Sequence, residues 1–81
     1  MRRAAKRDQN EPEIVQELRE AGWLVMYLDK FDLLIWHPTQ RRLRMVEVKT
    51  ETGALKPSQE KMIAEGWPLE IVRTVEQALG P

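Results

Sequence analysis

Two β-like runs separated by a short turn constrain this chain more than any other feature. Met45-Val46-Glu47-Val48-Lys49-Thr50 is rich in residues that favour an extended backbone, and Phe31-Asp32-Leu33-Leu34-Ile35-Trp36 is its match upstream. Between them His37-Pro38-Thr39-Gln40 reads as a turn, so the runs are expected to pair as an antiparallel hairpin. Strand alternation then puts Glu47 and Lys49 on one face, with Asp32 able to meet Glu47 at one end of the sheet. Two converging carboxylates repel each other unless a hard cation lies between them. Oxygen donors with a retained water are the ligands that Mg²⁺ or Mn²⁺ takes.

The remaining elements follow from capping signals and periodicity. Asn10 is expected to cap a helix, with Glu13 as its capping-box partner and Pro12 tolerated in the first turn. That helix should run to about Ala21 and stop at Gly22. Its apolar stripe is Ile14, Val15, Leu18 and Ala21, which Glu11 extends by its spacing; the other reading is that Glu11 faces water and complements the helix dipole. Trp23 to Leu28 reads as a first strand, Phe31 to His37 as a second and Arg42 to Lys49 as a third. After a polar loop over 50–57, Ser58 should cap a second helix whose inward residues are Met62 and Ile63, with Gln59 on the same side and Gly66 at its end. Pro68 to Arg73 reads as a fourth strand, parallel to the third because a helix connects them. Thr74 caps a last short helix ending at Leu79. The order α-β-β-β-α-β-α predicts an α/β fold, with a small mixed sheet of about four strands flanked by helices.

A chain of 81 residues is expected to form one small domain, here 10–81, behind a basic flexible tail at 1–9. So small a core is of marginal stability alone, which favours a homo-oligomer. Cysteine is absent, which removes disulfides, thiolate-zinc sites and thiol nucleophiles. No apolar run is long enough to span a bilayer and the N-terminus has no secretion-signal core, so the expectation is a soluble, intracellular (cytoplasmic) protein. With 13 basic and 13 acidic residues the net charge is zero and says nothing for nucleic acid. Its distribution says more. Arg2, Arg3, Lys6 and Arg7 crowd the N-terminus and Arg41, Arg42 and Arg44 the hairpin, while Glu11, Glu13, Glu17 and Glu20 load the first helix. Such segregation makes either a basic face that tracks phosphates or ordinary solvated charge.

A Glu-x-Lys alone is a common surface pattern. Its apolar strand, the isolated acid on the preceding run, and Glu11 and Gln59 on inward stripes set this one apart. Together these residues resemble the PD-(D/E)xK nuclease superfamily, and within it the VRR-NUC and Holliday-junction-resolvase-like branches. The resemblance lies in Glu11-Pro12-Glu13-Ile14-Val15 with Gly22-Trp23, in Phe31-Asp32-Leu33-Leu34-Ile35, in Glu47-Val48-Lys49, and in Gly53-Ala54-Leu55-Lys56-Pro57-Ser58-Gln59. Phe31 stands where the name-giving motif has proline, and Tyr27-Leu28-Asp29-Lys30 stands where VRR-NUC members carry a glycine tract. The resemblance implies a metal-dependent DNA endonuclease that hydrolyses phosphodiester bonds. Asp32, Glu47 and the Val48 carbonyl would hold Mg²⁺ or Mn²⁺, and Glu11 would complete the acid cluster directly or through water. Lys49 would position the attacking water and stabilise charge on the phosphate, and Gln59 would hold Lys49 or the phosphate. Resolvase-like relatives act as homodimers, so the expected partner is branched DNA, a four-way junction above all, recognised by shape and phosphate contacts. A virus or mobile element is the expected source. The alternatives are a branched-DNA-binding module that does not cut, and a small structural or regulatory dimer.

The residues expected to touch DNA are Arg2, Arg3, Lys6, Arg7, Tyr27, Lys30, Arg41, Arg42 and Lys56. His37 is read as a hairpin residue outside the chemistry. Trp23, Trp36 and Trp67 are read as core or dimer-interface anchors, although an exposed one can stack on an unpaired base.

Overall fold

The computed structural model describes residues 9–29 and 31–80. The chain runs α1 (Glu11–Glu20), β1 (Leu24–Tyr27), β2 (Leu33–His37), β3 (Arg42–Val48), α2 (Pro57–Glu65), β4 (Leu69–Val72) and α3 (Val75–Leu79), the order expected. The sheet is four-stranded with spatial order β1-β2-β3-β4. β1, β2 and β3 pair antiparallel, and β4 joins β3 in parallel after the α2 crossover. Leu28 N–H donates to the Asp32 carbonyl to close the first turn, and Arg41 N–H donates to the His37 carbonyl at 2.7 Å to close the second. Arg41 takes φ 55, the left-handed conformation this turn requires. Among the described residues no helix is long and apolar enough to cross a membrane.

Register divides the sheet into two unlike faces. Leu33, Ile35, Val46, Val48 and Val72 point to the side covered by α1 and α3, where they meet Ile14, Val15, Leu18, Trp23 and Ala78. Each fully buried Leu, Ile or Val there is worth about 1.5–3 kcal/mol relative to exposure. The opposite face carries the rows Leu24–Trp36–Leu43 and Met26–Leu34–Met45, and one step further along it Asp32 and Glu47. Only α2, with Gln59 as its one buried residue, belongs to that side. Leu24, Met26 and Leu43 are 60%, 58% and 63% exposed, while Leu34, Trp36 and Met45 between them are half-buried.

Several local expectations are corrected. Asn10 does not cap α1: its backbone is already helical and its side chain makes no capping bond. Its Nδ2 donates instead to the carbonyls of Lys49 and Arg73, both at 3.0 Å, which ties the start of α1 to the ends of β3 and β4. Its Oδ1 is buried without a hydrogen-bond partner, a local cost set against two long-range bonds. Glu11 is 2% exposed, so the spacing argument holds and the water-facing alternative fails, whereas Ala21, at the end of the stripe, is exposed. The α2 stripe is thinner than its sequence promised. Met62 is half-buried and Ile63 is 41% exposed, because α2 lies over the sheet with little contact. Lys56, not Ser58, is the residue before α2. Thr74 does cap α3, its Oγ1 accepting from Gln77 N–H.

Arg44 is the largest departure from a solvated basic hairpin. It shares the parity of Val46 and Val48 and so points into the α1/α3 face, where it is 5% exposed. Its guanidinium makes paired bonds of 2.7–3.1 Å to the Glu70 carboxylate, donates to the Ala78 carbonyl at 2.7 Å, and lies 5.1 Å from the Trp23 ring centre. A bidentate pair of this kind, buried at Arg44 though the Glu70 side chain is 41% exposed, ties β3 to β4 and α3 and engages the Arg44 guanidinium.

Candidate nuclease site

Leu33 faces Val46, so Asp32 and Glu47 are the next cross-strand neighbours, side by side on the face that α2 overlies. Two reciprocal bonds hold them there. Glu47 Oε1 accepts from Asp32 N–H at 3.2 Å, and Asp32 Oδ2 accepts from Val48 N–H at 2.9 Å. The strand partner therefore orients each acid. Lys49 Nζ lies 3.5 Å from Glu47 Oε2, and both side chains are less than a tenth exposed. The main chain of Lys49 is pinned on both sides, its N–H to the Val72 carbonyl at 2.9 Å and its carbonyl to Asn10. Beyond it, Arg73 Nη1 gathers the carbonyls of Thr50 and Gly53 at 2.7 and 2.8 Å, which sets the path of the loop into α2.

Electrostatics single out Glu47. Burial pushes the Glu47 carboxyl above the usual carboxylate range and the neighbouring Asp32 charge adds to the rise, against the pull of Lys49 and of the Asp32 N–H. A cation placed between the two acids would relieve both causes at once. Asp32 and Glu47 line one open cavity of about 420 Å³, together with Phe31, Gln59, Met62 and Glu65. Gln59 is 4% exposed, and its Oε1 accepts from Lys56 N–H at 2.8 Å, so it anchors the first turn of α2 at the cavity wall.

Glu11 stands apart from this pair. It is buried at the start of α1, next to the Asn10 tether, but does not line the cavity. Among the described residues no group of three Asp, Glu or His side chains stands close enough to hold a metal ion, so the donor set on view is Asp32 and Glu47. Those two acids, oriented by main-chain donors and mutually repelling, fit a hard divalent cation.

The residues expected to touch DNA fall in different places. Lys56 lines the cavity, and so do Lys61 and Ser58, which sequence reasoning passed over. Ser58, Lys61, Met62 and Glu65 recur at helical spacing, a signal that one face of α2 serves the cavity. Tyr27 lines a separate depression beside α1 with Pro12 and Arg19. Arg41 and Arg42 are exposed at the hairpin end, about 17 Å of β2 away from Asp32, and Arg41 lies 5.5 Å from the Trp36 ring centre. Arg2, Arg3, Lys6, Arg7 and Lys30 lie outside the described residues, as does the tail expected over 1–9, apart from its last residue. His37 is structural. Nε2 bonds the Ala21 carbonyl at 3.0 Å, Nδ1 accepts from Gln40 N–H at 3.1 Å, and the ring packs edge-on to Trp23.

An α-β-β-β-α-β-α chain that sets an acid at the head of β2 against Glu-x-Lys at the end of β3 has the layout of the PD-(D/E)xK nuclease class. Within that class, the family model of the VRR-NUC domain matches residues 31–66, somewhat under half of the chain. The matched stretch contains Asp32, Glu47, Val48, Lys49 and Gln59 and ends one residue before Trp67; over it, the resemblance to a nuclease family is shown. Neither curated proteins nor solved structures give a significant match.

Proposed function

We propose that this protein is a Mg²⁺- or Mn²⁺-dependent DNA endonuclease that cuts branched DNA, a four-way junction above all, as a homodimer. The observation that carries the reading is the Asp32–Glu47 pair, locked together across β2 and β3 with Lys49 beside it. A phosphodiester is anionic, and two carboxylates would repel it. Asp32 and Glu47 would hold the cation that reverses this repulsion, with the Val48 carbonyl as a further donor and Glu11 acting through water. A divalent cation held there would supply charge neutralisation at the phosphate and a more acidic water near neutral pH. Lys49 orients the attacking water and stabilises the charge that grows on the phosphate oxygens. Gln59 keeps the start of α2, and with it Lys56, at the pocket wall. Lys56 and Lys61 supply positive charge where the strand enters.

The exposed Leu24, Met26 and Leu43, flanking the half-buried Leu34 and Trp36 on one sheet face, support the homodimer. A contiguous apolar sheet face is costly in water, and a second copy of the same face, related by a two-fold axis, would bury it. The same axis would present two pockets to a four-way junction. Cleavage of labelled four-way junction, flap and plain duplex, each with Mg²⁺, Mn²⁺ or EDTA, tests the proposal. The junction should be cut fastest, EDTA should abolish cutting, and Lys49→Ala should lower the rate by about 100-fold or more. Absence of metal-dependent cutting by wild type, or a Lys49→Ala protein as active as wild type, defeats it.

A further inference from the structure

We propose that Trp67, Phe31 and Met62 form a subsite beside the acid pocket that takes one unpaired nucleobase of the strand held at Asp32 and Glu47. The inference rests on the reading of that pocket as a phosphodiester site. A second cavity, of about 350 Å³, is lined by Phe31, Met45, Met62, Glu65 and Trp67. Three of those residues, Phe31, Met62 and Glu65, also line the acid pocket, so the two spaces are continuous. The first pocket is charged, with four acids and two lysines, while the second is made of two aromatic rings, two methionines and one carboxylate. A nucleotide divides its chemistry in the same way, into an anionic phosphate and a flat, weakly polar base joined through one sugar. Phe31 immediately precedes Asp32 in the chain, which keeps the apolar space within one nucleotide of the acids.

Trp67 is prepared for this role. It follows Gly66, whose φ of 99 turns the chain out of α2, and its N–H donates to the Met62 carbonyl at 3.1 Å. The indole Nε1–H donates to Glu65 Oε1 at 3.2 Å. Even so, Trp67 remains 54% exposed. A ring with its polar group satisfied and its apolar surface in water is suited to stacking, and stacking on aromatic side chains is how proteins hold unpaired bases. A base inside a duplex is already stacked on its neighbours and has no face to offer. The subsite therefore selects splayed strands, as at the centre of a junction or the root of a flap, without reading sequence.

The test needs no catalysis. Binding of wild type to a labelled oligothymidylate is compared by anisotropy with binding to an abasic strand of the same length and charge, with Ca²⁺ in place of Mg²⁺ so that the acids carry a hard divalent cation. Wild type should prefer the base-bearing strand by about 5- to 100-fold. Trp67→Ala should lose that preference while binding the abasic strand as wild type does, and Trp67→Phe should keep part of it. Equal binding of the two strands by wild type, or a preference that survives in Trp67→Ala, overturns the proposal. So does a Trp67→Ala protein whose only change is its oligomeric state, since a second copy would then be the occupant. Failure of the cleavage panel with the base preference intact would instead remove the nuclease reading and leave the subsite standing.

Discussion

Gly22-Trp23 at the end of α1 and Gly66-Trp67 at the end of α2 share one local structure. Gly22 has φ 98 and Gly66 φ 99, and in each case the tryptophan N–H reaches back to a helix carbonyl, Trp23 to Leu18 and Trp67 to Met62. Both are helix stops in which a left-handed glycine lets the next amide close the last turn. Their tertiary settings differ completely. Trp23 is 4% exposed, wedged among Leu18, His37 and Arg44, whereas Trp67 is 54% exposed and lines the apolar cavity that adjoins the acid pocket. The α1 face of the sheet is built for stability, its buried His37 and Arg44 fully bonded. On the α2 face Glu47 is buried at an electrostatic cost and an aromatic ring is left in water. The raised Glu47 carboxyl and the exposed ring together mark the α2 face as the working face.

Substitutions at the two helix ends should separate these roles, and chemical or thermal denaturation reads the differences. Trp23→Ala should cost about 3–5 kcal/mol, the range for emptying a packed aromatic site. Gly22→Ala comes next, at about 2 kcal/mol, because a methyl group there meets His37 Nε2 at 2.9 Å as well as the positive φ. Gly66→Ala has only the φ to contend with, nothing lying within 4 Å of an added methyl, and should cost about 1 kcal/mol. Equal losses at the two glycines would mean that His37 moves aside freely.

Glu47→Gln should do the opposite and stabilise. The folded state binds the Glu47 proton more tightly than the unfolded chain does, so wild type loses stability as pH rises through the interval between the unfolded value and the raised one. The glutamine escapes that loss while still accepting from Asp32 N–H. Its melting temperature should exceed that of wild type at pH 7, and the gap should close below the unfolded carboxylate range. A gap that widens on acidification contradicts the electrostatic account. The smallest effect is that of Trp67→Ala, within about 0.5 kcal/mol of wild type as for other exposed positions.

Much of this was legible in the chain itself. All seven elements announce themselves through alternation, helical spacing and Gly or Pro punctuation, and hairpin register alone brings Asp32 to Glu47. Gln59 is legible as inward because it continues an apolar stripe, whereas spacing alone leaves Glu11 open between core and water until its burial is seen. What escaped depends on partners distant in sequence. Asn10 looks like a cap, yet it bonds carbonyls 39 and 63 residues away. Arg44 looks like Arg41 and Arg42 until the parallel pairing of β4 brings Glu70 to it from 26 residues downstream. Met62 and Ile63 look equally inward, but the loose seat of α2 leaves Ile63 in water. Lys61 was overlooked because no motif names it, although its place on the Ser58–Glu65 face was readable.

The acid pair is the centre of the account, and thermal denaturation with increasing Mn²⁺ tests it most directly. Wild type should melt at progressively higher temperature as the ion binds the folded state, while Asp32→Asn, which keeps an acceptor for Val48 N–H, and Glu47→Gln should respond weakly or not at all. Curves for the two variants that climb with Mn²⁺ as steeply as wild type would contradict it.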